Sequence, residues 1–191
     1  MSHLPLVRWG GLAAMLVGVA FIVLVLIPKA RDGSPFYIFG SVLLFVAVWL
    51  LLLVALAGFH ALQKEHYGRI GRAGFYTVIV GASAMIVIQL LTWVGVTLGI
   101  TALVFPDPVG LLIVMVGLVL YGVATLQARV LPRWCGVGLI VGVPVLIGLS
   151  VVSEEYGEML GGILFGLLWL ALGYVLWSES GAAAEHPARA R

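Results

Sequence analysis

Long apolar runs broken by short polar interruptions make up nearly the whole chain. A helix needs about 20 predominantly apolar residues to cross the hydrocarbon core of a bilayer. Six runs meet that length, at residues 6–27, 36–59, 73–99, 109–127, 134–152 and 159–177. The interruptions between them have physical causes. Pro28 with Asp32-Gly33-Ser34-Pro35 is turn chemistry, Pro106-Asp107-Pro108 removes backbone donors and forces extended backbone, and Ser153-Glu154-Glu155 places charge where an apolar run stops. The pattern predicts an all-α, polytopic integral membrane protein of six transmembrane helices, one domain over residues 1–180, with a polar, disordered tail at 181–191. The first run is too long for the apolar core of a secretory signal. It is followed by Pro28-Lys29-Ala30 rather than a small-x-small cleavage pattern, so it reads as a retained helix.

Composition sharpens this reading. Of the 191 residues, 63% are hydrophobic and only 9% charged, whereas a soluble domain carries about a quarter charged residues. So little polar material leaves most of the surface to lipid. A formal charge of +2 excludes the basic stripe that nucleic acid would require. The single cysteine, Cys135, cannot form an intramolecular disulfide.

Charge speaks mainly to orientation. With the N-terminus inside, the cytoplasmic segments carry Arg8, Lys64, Arg69, Arg72, Arg129, Arg133, Arg189 and Arg191, and only Lys29 and Arg31 fall outside. The positive-inside bias therefore predicts a multi-pass protein of the cell (inner) membrane with both termini cytoplasmic. Residues 58–75, GFHALQKEHYGRIGRAGF, become the cytoplasmic connection between the second and third helices. Lys64, Arg69, Arg72 and Arg133 are placed to anchor anionic headgroups, at about 1 kcal/mol for each charge near the surface.

A shift of 64 residues superposes Gly58, Leu62, Gln63, Arg69 and Gly74 on Gly122, Leu126, Gln127, Arg133 and Gly138, and Arg8-Trp9-Gly10-Gly11 resembles Arg133-Trp134-Cys135-Gly136. These matches suggest three parallel helical hairpins, pairing the first helix with the second, the third with the fourth and the fifth with the sixth. Small residues let helix backbones approach in a membrane. The pairs Gly95/Gly99, Gly138/Gly142, Gly157/Gly161 and Gly162/Gly166, with the stripe Gly10, Ala14 and Gly18, are the expected packing positions. With units such as RWGGLAAMLVGV and RWCGVGLIVGV opening odd-numbered helices, the plan resembles the small six-helix bacterial membrane proteins of the HdeD type. That resemblance implies an association with acid stress and no defined catalytic mechanism.

Candidate chemistry is sparse. His3, His60, His66 and His186 all lie at or beyond the cytoplasmic helix ends, where an intramembrane haem could not use them, and His60 and His66 lack the spacing of four that puts two ligands on one helical face. No cofactor or metal is expected. Glu154, Glu155 and Glu158 form the only carboxylate cluster, read either as a charged turn in water or as a cation or proton site. Ser41 and Ser83 lie in apolar helices with no histidine at matching depth, and no catalytic or phosphate-binding fingerprint is present.

The most informative internal residue is Gln89, followed on the same face by Thr92, Trp93 and Thr97. A buried amide needs partners, so this stripe reads either as glue between helices or as the polar contact of a ligand cavity. The sequence favours a non-enzymatic protein that binds a lipid or apolar small ligand, or an accessory membrane subunit. A transporter or channel component and an intramembrane enzyme are the alternatives. Expected partners are membrane lipids, an apolar ligand, and a second copy or another membrane protein.

Overall fold

The computed structural model describes residues 4–26, 35–100, 108–152 and 156–185. These form six α-helices: α1 (Leu4–Leu26), α2 (Pro35–Gln63), α3 (Arg69–Leu98), α4 (Pro108–Ala128), α5 (Arg133–Val152) and α6 (Gly157–Glu185), with no strand among the described residues. All but α5 are long and apolar enough to cross a membrane. In α5 the apolar stretch is the shorter Arg133–Leu149, and Pro144 inside it removes one backbone hydrogen bond. The full 20-residue helix still reaches about 30 Å at 1.5 Å per residue.

Three helix ends differ from expectation by four residues or more. The connection expected over residues 58–75 is mostly helical, because α2 continues to Gln63 and α3 begins at Arg69. Only residues 64–68 are non-helical. Lys64 N–H still donates to the His60 carbonyl at 2.8 Å, and the Gln63 carbonyl then accepts from His66 at 2.9 Å and Tyr67 at 3.2 Å. The 30-residue α3 is about 45 Å long, so its basic first turn can stand beyond the hydrocarbon without leaving the helix. At the other end of the chain α6 runs on to Glu185, taking residues 181–185 out of the expected tail; residues 186–191 lie outside the described residues.

Each helix packs on its neighbours in the chain, and α1 on α6 closes a ring. The α1/α6 and α3/α4 interfaces are the most extensive, and α2/α3 is the sparest between consecutive helices. Glycines explain the ranking. On α1, Gly11 and Gly18 face Gly173 and Gly166 of antiparallel α6, where a Cβ on Gly166 would stand 2.7 Å from the Gly18 carbonyl oxygen and one on Gly173 2.7 Å from that of Gly11. On α3 and α4 the same seven-residue spacing recurs in Gly74/Gly81 and Gly110/Gly117: a Cβ on Gly74 would stand 2.6 Å from the Tyr121 nitrogen, and one on Gly117 2.6 Å from that of Val78. Backbones at this separation gain dispersion contacts along their whole length, the main attraction available where lipid is as apolar as the side chains.

The expected small-residue stripe therefore divides between two partners. Gly10 meets Gly58 of α2, whereas Gly18 meets α6. Gly138 and Gly142 both lie under Leu168, Gly161 meets Leu146 of α5, and Gly162 and Gly166 face α1. The Gly95/Gly99 pair ends α3: Gly99 takes a left-handed φ of 70°, and the Ile100 N–H reaches the Gly95 carbonyl at 2.8 Å, as in a glycine-terminated helix. The positions related by the 64-residue shift share surroundings only in part. Arg69 and Arg133 are both exposed and both open a helix, but Gln63 is buried where Gln127 is exposed.

Candidate functional site

The polar stripe singled out on α3 lies along one side of its second half. Gln89, Thr92 and Trp93 are half-buried, and Thr97 is exposed. Thr97 Oγ1 donates to the Trp93 carbonyl at 2.8 Å, the local bond expected of a hydroxyl in an apolar helix. Thr92 Oγ1 is enclosed with no hydrogen-bond partner. Of the expected anchors, Arg69, Arg72 and Arg133 are exposed and Lys64 is half-buried. His3, His186, Glu154 and Glu155 lie outside the described residues.

A different group of residues is drawn together at the basic end of the bundle. The last turn of α2 carries His60 and Gln63, the short connection turns Tyr67 back, α3 supplies Phe75 and α4 supplies Tyr121. The Tyr67 hydroxyl is hydrogen-bonded to His60 Nδ1. His60 stacks on Phe75 with centroids 4.1 Å apart, and Tyr67 meets Tyr121 edge-on at 5.8 Å. Tyr67 can lie across the first turn of α3 because residue 71 is glycine; a Cβ there would collide with the Tyr67 ring. Burial, reinforced by Tyr76 and opposed by Arg72 and by a hydrogen bond with Tyr121, pushes the Tyr67 hydroxyl up to about 12, so it stays protonated at neutral pH.

Hydrogen bonding in this cluster is incomplete. Gln63 is 0% exposed, and neither Nε2 nor Oε1 has a partner. Tyr121 is likewise 0% exposed, and its hydroxyl interacts with that of Tyr67. Thr125, one turn further along α4, is satisfied by the Tyr121 carbonyl at 2.9 Å. The sequence did carry a signal for Gln63. Leu52, Leu56 and Phe59 are spaced four and three apart, and Gln63 continues that inward-facing register. Tyr121 follows Val114 and Leu118 in the same way on α4.

A groove of about 380 Å³ lies between α5 and α6, floored by Gly138 and Gly142 and walled by Val141, Leu164 and Phe165, with Trp134 at its basic end. It takes no residue from the α3 stripe.

Helix lengths and composition make the chain an all-α, multi-pass membrane protein. Comparison with protein families, curated proteins and solved structures finds no match. Among the described residues, no three His, Cys, Asp or Glu side chains gather where a metal ion could be held.

Proposed function

We propose that this chain is a non-enzymatic protein of the cell membrane that binds an anionic phospholipid through the groove between α5 and α6. The observation that carries the reading is the groove itself, an apolar trough lined by Val141, Leu164, Phe165 and Leu168 along the faces of α5 and α6. An acyl chain fits such a trough, since lipid sites combine apolar walls with few polar groups. Trp134 at the end of the groove suits the headgroup level, and exposed Arg133 beside it offers positive charge to a phosphate. Gln89, Thr92, Trp93 and Thr97 on α3 lie apart from this groove.

Native mass spectrometry of the purified chain with mixed anionic and zwitterionic lipid tests this. Val141→Trp puts bulk into the groove from an exposed position and should remove most of the bound lipid without lowering the unfolding temperature. Arg133→Gln should erase the preference for the anionic lipid. Unchanged adducts in Val141→Trp would sink the reading.

The basic asymmetry supports an orientation with this end of the bundle, carrying Lys64, Arg69, Arg72 and Arg133, in the cytoplasm. Glu65→Cys and Val152→Cys, both at exposed positions, should label from opposite sides of sealed vesicles. Cys135 is buried and should not compete for the reagent. Labelling of both from one side would contradict the topology.

A further inference from the structure

We propose that His60 is a pH-sensitive latch on the connection between α2 and α3: with its imidazole neutral it holds Tyr67 closed over the basic end of the bundle, and on taking a proton it loosens that hold. The geometry is a chain of three groups from three elements. His60 Nδ1 on α2 is hydrogen-bonded to the Tyr67 hydroxyl of the turn, and that hydroxyl is bonded in turn to the hydroxyl of Tyr121 on α4. Only the outer end of the chain meets water, since His60 is half-buried whereas Tyr67 and Tyr121 are enclosed. The imidazole is stacked on Phe75 of α3, so it cannot swing out to water without giving up that contact. The latch is independent of the lipid groove, which lies between α5 and α6 and shares no residue with it.

A count of hydrogens shows what a proton does here. Two links join the three groups, and each link needs one hydrogen. A neutral imidazole with its own proton on Nε2 leaves one hydrogen on each tyrosine, and both links are filled. An imidazolium carries N–H on both ring nitrogens, so three hydrogens then compete for the same two links. One tyrosine hydroxyl is left with its hydrogen aimed at nothing in an enclosed place, which costs free energy. Tyr67 cannot escape by ionising, because burial pushes its hydroxyl up to about 12. Neighbouring charge acts in the same sense. Lys64 stands one turn further along α2, its N–H on the His60 carbonyl, and Arg72 and Tyr76 of α3 act on Tyr67. Glu65 and His66 of the connection, Arg8 of α1 and Glu179 of α6 are exposed. A second positive charge beside Lys64 is disfavoured. The unfolded chain therefore takes this proton more readily than the folded one, and by linkage the hold is full above the ordinary imidazole range near 6.5 and weakens as pH falls through and below it. The effect is local, because α2/α3 packing is the sparest between consecutive helices.

Hydrogen exchange of the full chain in a non-ionic detergent, compared at about pH 7.5 and about pH 5.5 with each rate divided by its intrinsic rate, tests the latch. The amides of Lys64, His66 and Tyr67, whose bonds close the turn, should lose about five-fold in protection at the lower pH, and those in the middle of α4 should keep theirs. His60→Asn retains an acceptor near the position of Nδ1 but takes no proton, so its protection should be the same at both pH values. Tyr67→Phe breaks the chain and should start less protected and change by less than about two-fold. His66→Asn, at an exposed position, should keep the full loss. Equal protection at both pH values in the wild type overturns the proposal, as does a five-fold loss that survives in His60→Asn or vanishes in His66→Asn. Should His60→Asn fail to accumulate, Tyr67→Phe decides, since the full loss in that variant also overturns it.

Discussion

Gly18→Ala should lower the unfolding midpoint by roughly 5–10 °C, an effect of about 2–3 kcal/mol at 2–4 °C per kcal/mol for a chain of this size. Where α1 crosses α6, the Cβ of residue 18 would run into the Gly166 carbonyl oxygen, with the Leu170 nitrogen 2.7 Å away. These are backbone atoms, so no rotamer change makes room. The helices must separate, and separation forfeits close contact along the most extensive interface in the ring. Gly40→Ala is the control. Its Cβ would meet nothing within 4 Å, so alanine should be neutral or stabilising by up to about 1 kcal/mol through helix propensity. Thermal unfolding in a mild detergent, followed by tryptophan fluorescence, separates the two. If Gly18→Ala melts with the wild type, α1 and α6 do not approach as closely as the ring requires.

The contrast between Gly18 and Gly40 also shows what the sequence could convey. Bilayer thickness sets helix length from outside, so six apolar runs were enough to place six helices within a few residues. The identity of each helix's partner was not encoded in spacing. Gly10 and Gly18 read as one stripe, yet a turn of the helix sends the first to α2 and the second to α6. The seven-residue pairs Gly11/Gly18 and Gly166/Gly173 make sense only once the ring has closed.

Polarity was misread for a related reason. The charged residues around residues 58–75 suggested a loop, but a helix that stands clear of the hydrocarbon can carry arginines on its own turns, as α3 does with Arg69 and Arg72. Gln89 drew attention by its depth in an apolar run, and it is half-buried. Gln63, nearer the polar end, is wholly enclosed. Depth along the chain was legible, while the direction a side chain faces had to be read from its register with Leu56 and Phe59.

Tyr67→Ala should be the most damaging change in the connection between α2 and α3, at about 3 kcal/mol or a fall of roughly 6–12 °C in the midpoint. The side chain is only 4% exposed although it lies in a five-residue turn. Its ring contacts His60 and Tyr121 and covers Gly71. It therefore joins three helices where α2/α3 packing is sparest. Tyr67→Phe keeps the ring and removes only the hydroxyl bonded to His60 Nδ1, so its loss should be nearer 1 kcal/mol. Hydrogen exchange gives a local readout: the amides of Lys64, His66 and Tyr67, which hold the turn closed, should exchange much faster in Tyr67→Ala and only modestly faster in Tyr67→Phe. Equal damage from both variants would mean that the hydroxyl bond to His60, rather than ring packing, secures the turn. An undamaged Tyr67→Ala would mean that the aromatic cluster does not hold α2 and α3 together.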